Sequence, residues 1–148
     1  MSASPVPRRK PIVLIAIASA IVVAIVLIAF VLFRPGAVVV REEASPNPAS
    51  SGQTVTFRYF LRNGLSSVVT IDRIQSVLYQ NGSFFVSTNI TSSAPGWLTS
   101  TVQSGLEAQI YGDTFLVTTQ FVGQWLERVT FFTSAGAFSA ETSYTFNL

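Results

Sequence analysis

The spacing of hydrophobic residues changes once along this chain. Between Pro11 and Phe33 there are 23 residues without a single charged side chain, and as a helix this stretch spans roughly 34 Å at 1.5 Å per residue, enough to cross a bilayer. After Pro35 and Gly36, which end a helix, apolar and polar residues alternate with a period of two, as in half-buried strands. The pattern therefore predicts one transmembrane helix followed by an all-β domain.

The alternation is clearest from Thr54, where Val55, Phe57, Tyr59 and Leu61 point to one side of a predicted strand. Further runs bounded by turn residues lie at 37–40, 68–79, 83–86, 106–110, 115–121, 125–133 and 138–146. The segments 44–52 and 89–104, rich in Ser, Pro and Gly, are predicted to be loops, the second with a short edge strand. About seven short strands predict an antiparallel immunoglobulin-like sandwich.

Two details of these runs predict local geometry. Asp72 and Arg73 interrupt the alternation, so a break is expected near them. Asn81-Gly82 separates two runs and is the strongest short signal for a hairpin.

The charges indicate which side of the membrane each part occupies. Arg8, Arg9 and Lys10 precede the hydrophobic stretch and Arg34 alone follows it, so the positive-inside rule places the N-terminus in the cytoplasm. The predicted organisation is a cytoplasmic basic tail at 1–10, a transmembrane helix at 11–33, a juxtamembrane segment with the first strand at 34–52, and an extracytoplasmic β-sandwich domain at 53–148. The protein is thus expected to be a single-pass protein of the cell membrane.

A cleaved signal peptide is the alternative, since Ala18-Ser19-Ala20 has the small-x-small form of a cleavage site. Thirteen further apolar residues follow it, up to Phe33. Because cleavage there would leave an N-terminus that still needs a bilayer, an uncleaved signal anchor is the preferred interpretation.

Ala16, Ala20 and Ala24 recur every four residues and would form a small-residue face for helix packing. The alternative is that alanine is simply frequent in membrane helices. This spacing is the basis for expecting a partner helix or a homo-oligomer.

Composition restricts the chemistry that the chain can perform. There is no cysteine or histidine, which argues against thiol and histidine catalysis and the usual zinc, haem and copper sites. After Arg34, five arginines face seven carboxylates, a net charge of about −2, so the basic pI of 9.4 belongs to the N-terminal tail and no nucleic-acid partner is expected. No catalytic residue, cofactor or metal is predicted, and the chain is not expected to be an enzyme.

Carboxylates at two places in the sequence are candidates for particular roles. Glu42-Glu43 would either solubilise the juxtamembrane segment or bind a divalent cation, and the first is preferred. Glu127 shares a strand face with Trp125 and Val129, so it is expected near a rim or paired with an arginine.

Arg58, Phe60 and Arg62 share one strand face and are a candidate partner surface; the alternative is that they shield a sheet edge. Asn81 and Asn89 begin Asn-x-Ser/Thr triplets and are candidate glycosylation sites on the extracytoplasmic side.

The segment 45–74 resembles the opening strands of prokaryotic immunoglobulin-like domains of the CARDB (cell-adhesion-related) type. Pro48 corresponds to the proline-bearing entry of those domains. Gly52 with Val55, Phe57 and Tyr59 corresponds to their Gly-x-x-Val-x-Val strand, and Asn63-Gly64 to the Asn-x-Gly that follows. The resemblance implies a sandwich in an extracellular setting and no particular ligand. The plan of the whole chain is also similar to archaeal type IV pilins, archaellins and archaellum stator-like proteins, but Lys10 is followed by proline instead of the small residue that a prepilin peptidase requires.

These observations predict a non-catalytic, membrane-anchored, extracytoplasmic binding or structural module of a prokaryotic, and by resemblance archaeal, cell envelope. Its expected partners are the lipid bilayer and a further envelope or membrane protein. A pilin-like or archaellum stator-like subunit of a surface filament apparatus is the first alternative. An accessory subunit of a larger membrane complex is the second.

Overall fold

The computed structural model describes residues 36–148. The predicted basic tail and the predicted transmembrane helix, with its alanine face at Ala16, Ala20 and Ala24, lie outside the described residues. Within 36–148, no helix is long and apolar enough to span a bilayer.

Strands account for most of the described chain. They are β1 Val38–Ser45, β2 Ala49–Ser50, β3 Thr54–Asn63, β4 Val69–Gln80, β5 Ser83–Thr91, β6 Thr101–Val102, β7 Glu107–Leu116, β8 Gly123–Thr133 and β9 Gly136–Asn147. A single 3-10 turn, Thr119–Phe121, lies between β7 and β8. Two of the nine strands have only two residues, so the seven long ones agree with the number predicted from the alternation.

The strands form two sheets. One has the order β1-β3-β7, and the other has the order β2-β9-β8-β4-β5 with β6 added to one end of β4. All pairs are antiparallel except β2 with β9. Both orders match the immunoglobulin-like sandwich. Strands β1, β3 and β7 correspond to A, B and E of that fold. Strands β9, β8 and β4 correspond to G, F and C. The predicted all-β, antiparallel sandwich is confirmed.

Local sequence explains the best-formed elements. On β3, Val55, Tyr59 and Leu61 are buried while Arg58 and Arg62 are exposed, as the alternation predicts. The register of β4 against β8 shifts between Ile71 and Arg73, where the break was expected. Asn81 and Gly82 have φ of 49° and 81°, the positive values that a two-residue hairpin turn requires.

Two predicted boundaries are wrong. The alternation over 115–121 does not form a strand: β7 ends at Leu116, the backbone N–H and C=O of Val117 then bond to Gln53 and Gly52, and a 3-10 turn follows. The predicted loop at 44–52 contains the end of β1 and the short strand β2, because Ala49 pairs with Phe146 at the open edge of β9.

The core consists of two adjoining clusters. The larger one is built around Leu61, Ile74, Ile110 and Phe131. The smaller one lies around Val55, Val117, Trp125, Tyr144 and Phe146. Buried polar side chains interrupt the apolar core between the two sheets. Glu42, Ser76 and Glu127 are among them.

Candidate ligand-binding cleft

Glu127 projects from β8 into the interior of the sandwich and is only 2% exposed. Three hydroxyl groups donate hydrogen bonds to its carboxylate. Tyr59 donates to Oε1 at 2.8 Å, Ser76 donates to the same oxygen, and Tyr144 donates to Oε2 at 3.2 Å. These donors come from β3, β4 and β9, so both sheets contribute to holding one buried carboxylate.

Within residues 36–148, no arginine reaches Glu127. Arg128, the next residue, points to the opposite face of β8 and pairs with the exposed Glu141. The expectation that Glu127 lies near a rim or pairs with an arginine is therefore wrong. Three hydroxyl donors take the place of the expected arginine. Hydrogen bonds to the charged form stabilise a buried carboxylate when no counter-charge is present.

Glu42 lies beside Glu127 but on the other sheet, on β1 opposite Tyr59. It is 8% exposed, and its carboxyl group lies against the carboxylate of Glu127 and the side chain of Thr142. Within residues 36–148, no donor reaches its oxygens with normal hydrogen-bond geometry. Burial, reinforced by the negative charge of Glu127, raises the pKa of Glu42 to about 10. Glu42 is therefore a neutral carboxylic acid at physiological pH.

This finding corrects the interpretation of Glu42-Glu43 as solvated charge or a cation site. Adjacent strand residues point to opposite faces of a sheet, so only Glu43 reaches solvent, where it pairs with Arg41. The two carboxylates cannot bind one cation together.

Tyr59 and Tyr144 are kept protonated by the same surroundings. Burial raises the pKa of each phenol, and the charge of Glu127 raises it further. Both hydroxyls therefore remain hydrogen-bond donors to Glu127 across the usable pH range.

A cleft of about 240 Å³ opens between β5 and β7 and reaches this network. Fifteen residues line it, and nine of them are aromatic. The ring of Phe85 meets Trp125 edge-on with centroids 5.0 Å apart, and Phe115 meets Phe121 edge-on at 4.9 Å. The cleft therefore has aromatic walls and a floor formed in part by the hydroxyls and carboxylate around Glu127.

A second carboxylate, Asp113, lies in the cleft wall on β7. Tyr111 donates its hydroxyl to Asp113 at 3.2 Å, and burial together with the charge of Asp113 raises the pKa of Tyr111 to about 12. Since the residues lining the cleft include no lysine or arginine, its charge is wholly negative.

The predicted partner surface lies away from this cleft. Arg58, Phe60 and Arg62 are on the outer face of β3, and the guanidinium of Arg41 lies 3.8 Å from the centre of the Phe60 ring. Since β3 is the middle strand of its sheet, the alternative that these residues shield a sheet edge is wrong. Their role as a partner surface stays a prediction.

The candidate glycosylation sites are both exposed, Asn81 at the β4–β5 hairpin and Asn89 on β5. The Oδ1 atom of Asn81 accepts a hydrogen bond from the backbone N–H of Gln124. Glycosylation of either site stays a prediction. Within 36–148, no group of three or more acidic side chains is arranged to hold a metal ion.

No family model matches this sequence, and no curated protein sequence matches it. Among solved structures, the chain is similar to the sporulation control protein Spo0M of Bacillus subtilis, with a TM-score of 0.54 and 18% identity. That match covers 76% of this chain and 50% of the Spo0M chain, so this chain spans half the length of Spo0M. At this identity the likeness shows the β-sandwich fold alone.

Two further solved structures have TM-scores below 0.5. The CARDB domain of a Pyrococcus furiosus protein, in complex with di-metal ions, has a TM-score of 0.45 and 9% identity over 78% of this chain and 97% of that chain. A putative superoxide reductase from Thermotoga maritima has a TM-score of 0.43 and 15% identity over 77% of this chain and 88% of that chain. The class established for the described part of the chain is an antiparallel β-sandwich domain.

Sequence reasoning did not find the cleft. One signal was present: a glutamate at a core-facing strand position, which is rarely tolerated without partners. The partners themselves are a serine and two tyrosines on three other strands, and their convergence depends on strand order that the alternation does not specify.

Proposed function

We propose that this chain is a non-catalytic, membrane-anchored module of the cell envelope, whose β-sandwich lies outside the cytoplasm and binds a ligand between its two sheets. The observation that carries the binding role is the cleft between β5 and β7. Concave sites lined mainly by aromatic side chains with a few polar groups are the usual form of small-ligand sites.

The membrane location is supported by the sequence that precedes the sandwich. Twenty-three uncharged residues follow Arg8, Arg9 and Lys10, and this asymmetry of positive charge favours a cytoplasmic N-terminus. A CARDB-type classification is part of the same proposal and is supported by the residue pattern over 45–74.

The non-catalytic role is supported by the chemistry around Glu127. The hydroxyls of Ser76, Tyr59 and Tyr144 all donate to this carboxylate, and the sequence has no histidine or cysteine to activate a nucleophile. These groups are arranged to hold a charge in place.

The location is tested by labelling single cysteines in intact cells. Because the chain has no cysteine of its own, Ser66→Cys in the exposed β3–β4 loop and Ser4→Cys in the basic tail give one reactive thiol each. We expect a membrane-impermeant maleimide to label Ser66→Cys in intact cells and Ser4→Cys only after permeabilisation. The reverse pattern would overturn the proposed topology.

N-terminal sequencing of protein from native membranes separates the anchor from the pilin-like alternative. A chain that still carries Arg8-Arg9-Lys10 supports the anchor. A mature chain that begins near Pro11 overturns it in favour of a filament subunit.

The binding role is tested with the full chain in lipid nanodiscs. The chain has two tryptophans, so Trp97→Phe leaves only Trp125, which lines the cleft, as a fluorescent reporter. We expect saturable changes in its emission on titration with 1-butanol. The matched variant Trp125→Phe, which retains Trp97 outside the cleft lining, and empty nanodiscs should give none. Absence of a saturable response both to 1-butanol and to its charged analogues n-butylammonium and butyrate would contradict the binding role.

A further inference from the structure

We infer that the cleft binds a small alkylammonium cation, with the charge at Glu127 and the alkyl chain between the aromatic walls. This inference rests on the proposed binding function and names the chemical class of its ligand. It follows from two properties of the cleft: its charge and its aromatic walls.

The charge of the site is unbalanced. Burying a carboxylate costs free energy unless it is paired or hydrogen-bonded, and within residues 36–148 no salt bridge involves Glu127. The second carboxylate of the lining, Asp113, adds negative charge at the cleft wall. A cationic ligand would supply the counter-charge that the described part of the chain does not, whereas an anion would be repelled.

Donors of the domain itself can use all the acceptor positions of Glu127. An ionised carboxylate offers about four acceptor positions. Tyr59 and Ser76 occupy two positions on Oε1, and Tyr144 occupies one on Oε2. The neutral acid of Glu42 is the nearest donor for the fourth position, so a cationic ligand would be drawn to Glu127 by its charge and not by a free acceptor position.

The walls suit the apolar part of such a ligand and also its charge. The faces of Trp, Tyr and Phe rings attract cations, and Trp does so most strongly. Trp125 is two residues from Glu127 on the same face of β8, and both line the cleft. A cleft of about 240 Å³ accommodates a chain of a few carbon atoms, so the ligand is a small amine or the end of a longer amine-bearing molecule.

The test compares n-butylammonium with 1-butanol and butyrate, which have similar alkyl chains and different charges. Each is titrated against the full chain in zwitterionic nanodiscs, with Trp125 as the reporter in the Trp97→Phe background. We expect n-butylammonium to bind at least tenfold more tightly than 1-butanol, and butyrate to bind more weakly than either. Equal affinity for n-butylammonium and 1-butanol would overturn the inference while leaving the binding function intact.

Variants test whether Glu127 causes the preference for n-butylammonium over 1-butanol. Glu127→Gln keeps the shape of the side chain and removes its charge, so we expect the tenfold preference to fall below twofold. The matched control is Glu141→Gln, the same change on the exposed face of β9, which should keep the full preference. Retention of the preference in a folded Glu127→Gln variant, checked by far-UV circular dichroism, would overturn the role of Glu127. Because the comparison of ligands in the Trp97→Phe background needs no change at Glu127, the inference is tested even if that variant does not fold.

Failure of the inference can be distinguished from failure of the proposed location. If n-butylammonium is preferred but Ser66→Cys is labelled only after permeabilisation, the ligand class stands and the extracytoplasmic location falls. If no ligand of the three binds, both the inference and the binding function fall.

Discussion

Glu42 and Glu127 adjoin across the two sheets, and all three hydroxyl hydrogen bonds belong to Glu127. The two carboxyl groups therefore have different surroundings. Burial and the neighbouring charge of Glu127 raise the pKa of Glu42, so Glu42 keeps its proton at neutral pH.

The first prediction concerns the pH dependence of stability. The pKa of Glu42 rises from 4.5 to about 10 on folding, so above pH 4.5 the unfolded chain releases a proton that the folded chain keeps. The free energy of unfolding therefore falls as pH rises between these values, by up to about 1.4 kcal/mol per pH unit. Denaturant titrations of the full chain in micelles from pH 5.5 to 8.5 measure this slope.

Glu42→Gln imitates the protonated acid and should flatten the pH dependence. The adjacent exposed variant Glu43→Gln should retain it. Tyr59 and Tyr144 lose their protons only above pH 10 because burial raises the pKa of each phenol, so they do not contribute within the measured window. A slope unchanged by Glu42→Gln would show that another group is responsible.

The second prediction concerns Tyr59→Phe, which removes the 2.8 Å hydrogen bond to Glu127. A hydrogen bond to a charged group contributes about 1.5–3 kcal/mol, and a loss of stability of this size is expected at neutral pH. Tyr79→Phe is the matched control, since no hydrogen bond of the Tyr79 hydroxyl is present within residues 36–148, and it should cost less than about 0.5 kcal/mol. Equal losses in chemical denaturation would contradict the importance of the network.

The third prediction concerns Asn63, which is fully buried at the end of β3. Its Nδ2 donates to the carbonyl oxygens of Ser67 and Val102, and its Oδ1 accepts the N–H of Leu65. Asn63→Ala leaves three backbone groups without this partner and should destabilise the domain by about 3 kcal/mol or more. The exposed Asn147→Ala should change the denaturation midpoint little, and a similar effect of the two would refute the assignment.

The fourth prediction separates steric space from backbone conformation. Gly96 and Gly105 both have positive φ, of 89° and 74°. An added Cβ at Gly96 would lie 2.0 Å from the carbonyl oxygen of Gly112 on β7, whereas at Gly105 nothing lies within 4 Å. Gly105→Ala should cost roughly 1 kcal/mol from its φ alone.

Gly96→Ala should cost clearly more than Gly105→Ala, because the segment before Trp97 must also move away from β7. Thermal unfolding monitored by circular dichroism compares the two variants directly. Equal shifts in the melting temperature would mean that the close approach of Gly96 to Gly112 contributes nothing.

The sequence predicts the sandwich well because each long strand has one buried face. Burial selects alternating residues, so Val55, Tyr59 and Leu61 of β3 identify their own strand without knowledge of its neighbours. The alternation over 115–121 is misleading for a related reason: Phe115 and Phe121 are both partly buried against one core cluster, but they reach it from a strand and from a 3-10 turn. A period of two records burial, and burial is not unique to strands.

The site is harder to predict because it depends on pairing across the fold. Glu127 is 51 residues from Ser76 and 68 residues from Tyr59 in the sequence. Serine and tyrosine are common residues in strands, so nothing local distinguishes these donors. The buried role of Glu42 is equally hard to recognise in the sequence, since a pair of adjacent glutamates near a membrane is typical of solvated charge.

The placement of the two buried glutamates also affects how a ligand would approach. Five of the seven carboxylates of the described domain are exposed, namely Glu43, Asp72, Glu107, Asp113 and Glu141, and they balance its five arginines, Arg41, Arg58, Arg62, Arg73 and Arg128. The outer surface is therefore close to electroneutral, and the remaining ionised group lies inside. The unbalanced negative charge is thus confined to the cleft, and a cleft lined by one sign of charge attracts counter-ions locally. A cationic ligand should therefore be attracted at the cleft mouth and not by the rest of the surface, and raising the ionic strength should slow its association modestly.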